Sequence, residues 1–494
     1  MIRRPFGPAR GVPHVLAFTA LALAPTVLFA GQAPGSAAAN DIPISHRDRV
    51  YAAEQFSNTI SVTDPVDNVL LGVIRLGDPQ PANFTPLYRG QVLVHGLGFS
   101  WDHKTLAAVA IGSNGVNFID TATNTVKHVT YVGRSPHEAF FTPDGREVWV
   151  TVRGEDYISV IDPTTFEETR RIHVPNGPGM QIFSPDGKYA YICSSFTPET
   201  VVVDVASHAV VGHVTQASAF CPDIAATPDG KQVWFTLKDV GKVQAFSAAP
   251  PFEMLKTLDT GPITNHVNFA HTKRGQFAYV TIGGLDLVRV FQTDDYREIA
   301  TIPVGSLPHG IWPSGDGTRM YVGLENADQL VAIDTEKQSV VASVSIGQAA
   351  QALVYVPGAV SDGDGRANLQ PLGKSGQVAH LHLAPTGHAA AKTSKDATSV
   401  SLFDQGLQQV VQAAVTGLAP KSPYFLALTQ ARDGSGKRVP VATFSTNPAG
   451  AAIVNAAGEV RQWTEAVDPN DRRYLVIFSG TPEAAGPVVQ VQVE

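Results

Sequence analysis

The chain is poor in charge, cysteine and methionine. Only 16% of its 494 residues are charged, and 44 acidic residues outnumber 36 basic ones, for a net charge of −8. A nucleic-acid polyanion needs a basic surface, so this balance excludes nucleic acid as an expected partner. Hydrophobic residues still make up 44% of the chain, which is enough for two packed cores and excludes a disordered protein.

Several motifs of enzymes are also missing. There is no Gly-x-Ser-x-Gly nucleophile elbow, no phosphate-binding glycine loop and no Cys-x-x-Cys-His haem-attachment motif. These absences favour a binding protein over an enzyme, although they leave catalysis open.

Long hydrophobic runs are confined to the N terminus. Arg3 and Arg4 precede an apolar run at 15–30, and small residues follow it. This order predicts a secretory signal peptide over residues 1–33 and a periplasmic or secreted protein, by the Sec route or, given the two arginines, the twin-arginine route. A short membrane anchor is the alternative; once the signal is removed, no run is long enough to span a membrane.

What the sequence has in abundance is a repeat. Between about residues 100 and 335 it recurs every 42 to 44 residues, as Asp120, Asp162 and Asp204 show. Each unit holds four runs rich in Val, Ile, Phe and Tyr, separated by turn signals such as Pro143-Asp144-Gly145. Four strands per repeat are typical of a β-propeller blade.

The number of blades follows from the ends of the repeat. Six complete units are present, and a seventh first strand at 351–357 has no strands after it. Residues 50–75 supply three strands that lack a first one. Together they predict a seven-bladed propeller over residues 45–357, closed by N- and C-terminal strands of one blade so that no sheet edge stays open.

The pattern changes after the propeller. Residues 358–372 are rich in Gly and Asp and are predicted to be a linker. Residues 373–494 contain short alternating strands separated by turns. They predict a small immunoglobulin-like β-sandwich, so the whole protein belongs to the all-β class.

Three stretches carry a resemblance to a known family. Residues 119–126, 132–145 and 148–152 resemble the repeat of the YVTN family of β-propellers, found in exported and surface proteins of bacteria and archaea. The resemblance covers about residues 45–357 and implies the propeller fold. It implies no single activity, because members of this family are mostly binding or structural proteins and propellers host unrelated functions.

The repeat register brings four histidines to one face. His95, His137 and His309 occupy the position at the start of the innermost strand. His266 occupies it if its repeat contains one extra residue before the turn. Imidazole is a common transition-metal ligand, so His95, His137 and His309 are candidates for a metal, and all four histidines for another ligand. The alternative is that backbone hydrogen bonds satisfy these imidazoles.

Loops between the second and third strands of the blades form a second ring at the same face. Arg153, Lys238 and Glu325 lie in this ring and are candidates for binding an anionic group or a partner's side chains. Ordinary solvated loop charges are the alternative.

The two cysteines are predicted to lie on adjacent blades. Cys193 ends a second strand, and Cys221 precedes the next innermost strand. In an exported protein such a pair predicts a disulfide, with a thiolate metal site as the alternative.

These observations favour an exported propeller scaffold that binds a protein, a surface polymer or a small ligand at the histidine-bearing face. One alternative is a periplasmic oxidoreductase that depends on a metal or cofactor. Nitrous oxide reductases share the order of propeller and β-sandwich, but the C-terminal part of this chain has no cysteine for their thiolate copper site. The other alternative is a lactonase-like hydrolase.

Overall fold

The computed structural model describes residues 42–77, 92–373, 378–386, 398–404 and 409–493. The predicted signal peptide at 1–33 lies outside these residues. In the part of the chain that is described, no helix has the length and apolarity to cross a membrane.

Twenty-eight strands build the first domain, which is a seven-bladed propeller of four-stranded antiparallel sheets. In chain order they are β1 (Arg49–Glu54), β2 (Thr59–Asp64), β3 (Val69–Arg75), β4 (Val94–Phe99), β5 (Thr105–Ala110), β6 (Gly115–Asp120), β7 (Thr125–Tyr131), β8 (Pro136–Phe141), β9 (Val148–Val152), β10 (Tyr157–Ile161), β11 (Glu168–His173), β12 (Pro178–Phe183), β13 (Tyr189–Ser194), β14 (Glu199–Asp204), β15 (Ala209–Thr215), β16 (Ile224–Ala226), β17 (Gln232–Leu237), β18 (Lys242–Ser247), β19 (Met254–Asp259), β20 (Thr264–Thr272), β21 (Gly275–Ile282), β22 (Leu287–Gln292), β23 (Glu298–Pro303), β24 (Pro308–Pro313), β25 (Arg319–Leu324), β26 (Gln329–Asp334), β27 (Ser339–Ser345) and β28 (Ala350–Val356).

The ring is closed by one blade made from both ends of the propeller. Blade 1 has the strand order β28-β1-β2-β3, and blades 2 to 7 each use four consecutive strands from β4 onward. Tyr51 of β1 pairs with Val354 of β28 in an antiparallel ladder. The predicted seven blades and their closure are therefore confirmed, and every blade has its innermost strand.

Pro-Asp-Gly turns form the tight first hairpins of blades 3, 4 and 5. The hydroxyl of Thr142 donates to Asp144 over 2.7 Å, and the Gly145 amide donates to the Thr142 carbonyl over 2.8 Å. Gly145 has φ of 71°, a left-handed conformation that glycine adopts without steric cost. The same turn recurs at Ser184, Asp186 and Gly187, so this part of the repeat is encoded locally.

Burial decreases from the channel to the rim of each blade. All residues of β8, β9 and β10 in blade 3 are buried, whereas most of the outer strand β15 in blade 4 is exposed. Large side chains from adjacent blades pack between the sheets, as Trp149 does against Phe183 with ring centroids 5.3 Å apart. This packing between sheets holds the ring together.

A disulfide crosses from blade 4 to blade 5. It joins Cys193 of β13 to Cys221, which precedes β16, with Cα atoms 6.0 Å apart. Both cysteines are fully buried. The bond therefore anchors the connection between two blades to the core.

The C-terminal domain is also all-β, as predicted. Its strands are β29 (Val378–Pro385), β30 (Thr398–Asp404), β31 (Gln409–Val415), β32 (Pro423–Thr429), β33 (Arg438–Ser445), β34 (Ala452–Gly458), β35 (Tyr474–Gly480) and β36 (Ala485–Val493), with a short helix α1 (Arg461–Thr464). All eight strands join one antiparallel sheet in the order β33-β32-β35-β36-β29-β30-β31-β34. The edge strands β33 and β34 lie side by side, so the sheet nearly closes into a barrel instead of dividing into the two sheets of an immunoglobulin-like sandwich.

The linker fixes where this second domain sits. Asn124 donates from its side chain to the carbonyls of Gly365 and Ala367, both over 3.0 Å, and Gln370 bridges to Val73 of blade 1. The two domains also contact each other directly. The side chain of Asn326 in the propeller donates to the Ser399 hydroxyl of the C-terminal domain over 3.0 Å. The C-terminal domain is thereby held over one face of the propeller.

Candidate functional site

Three histidines from three blades meet at the channel under this domain. His95 of β4, His137 of β8 and His309 of β24 occupy the same position of their innermost strands. The ring centroids of His95 and His137 are 4.3 Å apart, and those of His95 and His309 are 6.5 Å apart. All three are at most 7% exposed, so the predicted convergence is present in the geometry.

His266 lies one position deeper than the sequence register predicted. A β-bulge interrupts each of these strands, and within the bulge of β20 it is Asn265, not His266, that matches His137. His266 still contacts His309, with ring centroids 4.8 Å apart, and its Nδ1 lies 3.9 Å from Asp223. It therefore faces the channel beneath the other three imidazoles.

Buried threonines on the second strands hold these bulges in place, and sequence reasoning missed them. Thr151 accepts from the Glu138 amide over 2.9 Å and donates to the Gly179 carbonyl of the next blade over 2.8 Å. Thr281 accepts from the His266 amide and donates to the His309 carbonyl, both over 2.8 Å. A threonine recurs in the second strand of several repeats, as at Thr151 and Thr281, and this recurrence could have predicted their role.

Replacing Thr281 by valine should destabilise the protein by about 1 to 2 kcal/mol. The variant keeps the shape but leaves the His266 amide and the His309 carbonyl without their buried partner. Urea unfolding would measure the change. Thr301→Val in the exposed outer strand of the same blade is the control, expected to shift stability by less than about 0.5 kcal/mol. Equal losses in both variants would contradict a special role for Thr281.

A cavity of about 680 Å³ lies between the propeller face and the C-terminal domain. We call it the chamber. Its floor carries His95, His137 and His309, and Gln412 of β31 is in its roof. The remaining roof residues come from the β33–β34 connection and from β34, and they are Ser445, Thr446, Asn447, Pro448, Ala451, Ala452, Ile453 and Asn455. A volume of this size is typical of small-molecule sites.

The predicted second ring supplies the charged walls of the chamber. Arg153, Lys238 and Glu325 all line it. The Arg153 guanidinium packs against Phe220 at 5.4 Å and against Phe196 at 5.5 Å; Phe220 lines the chamber and Phe196 does not. The Nε of Arg153 has no hydrogen-bond partner within the described ranges. Two aromatic rings therefore hold this cation, and none of the described carboxylates forms an ion pair with it.

The imidazoles of His95 and His137 are neutral at neutral pH. Burial, reinforced by the charges of His309 and Arg153, lowers the pKa of His95 to about 3. Burial also lowers the pKa of His137 well below its usual value, with His95 and Arg153 adding to the effect. Each ring consequently keeps one nitrogen lone pair available at pH 7.

Glu325 is the buried anion of the site. Its carboxylate lies 2.6 Å from Nδ1 of His309. Burial alone would raise the pKa of Glu325, but the charge and hydrogen bond of His309, together with Lys238, outweigh burial and lower the pKa to about 2. Burial lowers the pKa of Lys238, and Glu325 opposes that effect. Glu325 thus offsets the charge of Lys238 across the chamber wall.

Two further carboxyl groups lie in the channel beneath the chamber, and neither was predicted. Glu138 accepts from the Leu97 amide over 3.0 Å, and Asp223 accepts from the Val267 amide over 2.8 Å. Burial raises the pKa of Glu138 well above its usual value, with Asp223 adding to the effect, and burial raises the pKa of Asp223 to about 7. The sequence did contain a signal for a buried acid here, because Glu138 directly follows His137 in an otherwise apolar strand.

Apolar side chains fill the channel around and below these acids. Phe140, Met180 and Trp312 are among the residues that reduce the free space there to about 30 Å³. This is room for about one water molecule, so the chamber does not continue through the propeller as an open pore.

Comparison with known proteins identifies the propeller. A family model described as YNCE-like beta-propeller matches residues 90–221, which span blades 2 to 4. No curated protein matches the chain. The propeller resemblance seen in the sequence is therefore confirmed at the level of the fold.

Two solved structures share this fold. Hydrazine synthase of Kuenenia stuttgartiensis aligns with a TM-score of 0.50 and 19% identity, over 55% of this chain and 92% of that chain. A functionally unknown protein from Desulfotomaculum acetoxidans DSM 771 aligns with a TM-score of 0.52 and 14% identity, over 62% and 98% of the two chains. At these identities the likeness extends to the fold alone.

Proposed function

We propose that this protein is an exported propeller that binds a small anionic ligand in the chamber between its two domains. The observation that carries the proposal is the Arg153 guanidinium, held between Phe196 and Phe220 at the chamber wall with its Nε unpartnered in the described chain. A guanidinium in this setting suits a carboxylate or phosphate, which accepts two parallel hydrogen bonds.

The position of the second domain supports a small ligand over the other ligand classes that the sequence left open. It covers the histidine-bearing face, and a chamber of about 680 Å³ remains beneath it. A folded protein or a surface polymer would need this face uncovered, whereas a small molecule fits the volume. The neutral imidazoles of His95 and His137 would then provide hydrogen-bond partners for the polar parts of the ligand.

Export is part of the proposal. The predicted signal peptide supports it, and so does the disulfide between Cys193 and Cys221, because such bonds persist in oxidising compartments. The ligand would accordingly be a solute of the periplasm or of the surroundings of the cell.

Calorimetric titration of chelator-treated protein with acetate, succinate and inorganic phosphate tests the proposal. We expect at least one of the three probes to bind, and Arg153→Ala to weaken that binding by about 10- to 100-fold, because a charge-assisted hydrogen bond to a half-buried guanidinium is lost. Lys238→Ala should weaken it less, since Glu325 already offsets part of the Lys238 charge.

Arg171→Ala is the matched control. Arg171 also stacks on an aromatic ring, that of Tyr157 at 4.4 Å, but it lies in the outer strand of blade 3 and not at the chamber. It should leave binding unchanged. Failure of all three anions to bind the wild-type protein, or equal binding by Arg153→Ala, would refute the proposed function.

The two catalytic alternatives stay predictions. A metal-dependent oxidoreductase requires a metal or cofactor beside the chamber, and stoichiometric metal binding by the purified protein is its first test. For a lactonase-like hydrolase, the arrangement of the chamber residues offers no specific support.

A further inference from the structure

We propose that His95, His137 and Glu138 form a binding site for one divalent transition-metal ion at the floor of the chamber. One nitrogen of each imidazole and one carboxylate oxygen of Glu138 lie within 4.8 Å of one another. All three residues are more than nine-tenths buried. Ligands of a single ion bound at about 2.0 to 2.2 Å lie closer together than this. A displacement of each ligand atom by less than about 1 Å would bring the three atoms to that separation.

Each of the two imidazoles has a nitrogen that could bind a metal ion. Nδ1 of His95 and Nδ1 of His137 are both buried and have no hydrogen-bond partner within the described ranges. A buried imidazole nitrogen without a partner is unusual, because burial removes water as the substitute. A metal ion held by these rings would remove that deficit.

Glu138 is positioned by the backbone of the neighbouring blade. One of its oxygens accepts from the Leu97 amide over 3.0 Å. A Cβ at position 96 would come within 2.1 Å of the His137 carbonyl oxygen and within 2.5 Å of the other carboxylate oxygen of Glu138, so only glycine allows both to approach. Glycine at position 96 thus makes room for the carboxylate next to the two imidazoles, and the Leu97 amide fixes its orientation as the outer shell of a metal site does.

The charges beneath the chamber also favour a cation. Glu138 and Asp223 line the same narrow channel beneath the chamber, and no Lys or Arg is among the described residues that line it. Two acids buried together without a counter-ion are costly in the ionised form. A divalent ion ligated by Glu138 would supply the missing positive charge at this place.

The donor set selects the class of metal. Two neutral imidazoles and one carboxylate suit Zn²⁺, Cu²⁺ or Fe²⁺, whereas Ca²⁺ and Mg²⁺ prefer oxygen ligands throughout. Three protein ligands leave a coordination position free, and His95 and His137 border the chamber on that side.

This set differs from the one that the sequence predicted, because Glu138 takes the place of His309. Nδ1 of His309 is already hydrogen-bonded to Glu325 over 2.6 Å. Its ring centroid is also 6.5 Å from that of His95, compared with 4.3 Å between His95 and His137.

Equilibrium dialysis of the chelator-stripped, full-length mature protein against Zn²⁺, followed by metal analysis, tests the site. We expect one tightly bound ion per chain. The double variant His95→Ala/His137→Ala should lower the affinity by at least about 100-fold, and Glu138→Gln by at least about 10-fold. Glutamine keeps an oxygen to accept from the Leu97 amide, so this second variant tests the ligand while preserving the fold.

His46→Ala is the control. His46, Asp64 and Asp67 form another group that could hold an ion, but His46 and Asp67 are exposed and His46 already bonds Asp64 over 2.9 Å. The variant should bind Zn²⁺ like the wild type. The proposal fails if wild-type protein binds no stoichiometric Zn²⁺, if Glu138→Gln binds as tightly as wild type, or if His46→Ala removes the binding.

The metal site and the proposed anion binding can fail separately. Arg153→Ala should retain Zn²⁺, because Arg153 is not among the three ligands, while anion binding is measured on metal-free protein. Co²⁺ in place of Zn²⁺ gives a visible spectrum that reports its ligands, and this spectrum should change in Glu138→Gln but stay unchanged in Arg153→Ala.

Discussion

Glu325→Gln should destabilise the protein by about 3 kcal/mol at pH 7. The pKa of this carboxyl group falls from 4.5 to about 2 on folding, and each unit is worth about 1.4 kcal/mol. The variant keeps the size of the side chain but loses the negative charge beside His309 and Lys238. Removing one member of a buried charged group leaves the others without compensation, which is among the largest effects of a single substitution.

The effect should depend on pH in a defined direction. A carboxyl group whose pKa is lowered by folding stabilises the protein above its unfolded pKa, and this contribution is lost as the pH falls through the folded pKa. The difference between wild type and Glu325→Gln should therefore be complete at pH 7 and shrink to less than half at pH 3. Urea unfolding at both pH values measures it.

Asp239→Asn is the control for this prediction because Asp239 lines the same chamber. Burial raises the pKa of Asp239, with Lys238 opposing, so its charge is not stabilised by folding as that of Glu325 is. We expect Asp239→Asn to be neutral or slightly stabilising at pH 7. A loss as large as that of Glu325→Gln would show that any charge in the chamber matters equally.

Removing the disulfide should cost about 3 to 4 kcal/mol. Cys193 and Cys221 are 28 residues apart in sequence, and closing a loop of that length restricts the unfolded chain by this amount. The variant Cys193→Ala/Cys221→Ala would be compared with the wild type by urea unfolding, with and without a reducing agent. Reduction should destabilise the wild type and leave the variant unchanged; the opposite pattern would contradict the prediction.

The variant Cys193→Ala/Cys221→Ala should also affect anion binding in the chamber. Phe220 directly precedes Cys221 and packs on the Arg153 guanidinium at 5.4 Å. Loosening this segment should therefore weaken anion binding as well as stability. Unchanged anion affinity in a destabilised double variant would show that Phe220 holds its place without the disulfide.

Much of the propeller could be predicted because its signals are local and repeated. The Pro143-Asp144-Gly145 turn and its copies mark the first hairpin of several blades, and runs rich in Val, Ile, Phe and Tyr mark the strands. The repeat register predicted that His95, His137 and His309 lie together, because the same position in successive repeats faces the channel at the same level of a closed ring.

The site was less predictable where a repeat departs from the others by one residue. The first hairpin of blade 6 is built differently, with Thr272 directly paired to Gly275, and His266 is displaced by one position as a result. Glu138 and Asp223 carry no motif of their own, and only the ring places them together in the channel. Their high pKa values arise from burial, which depends on packing.

The amino-acid sequence by itself determined the number of blades, the closure of the ring and the set of histidines at one face, because turns and strand periodicity act over a few residues and are repeated. Only the tertiary structure decided that the face is covered. The linker is fixed to blades 1 and 2 by contacts such as that of Asn124 with Gly365, and it carries the second domain over the channel. Contacts between residues so distant in sequence leave no periodic trace. They convert an open binding face into a small chamber with a half-buried guanidinium, neutral imidazoles and an acid beneath them.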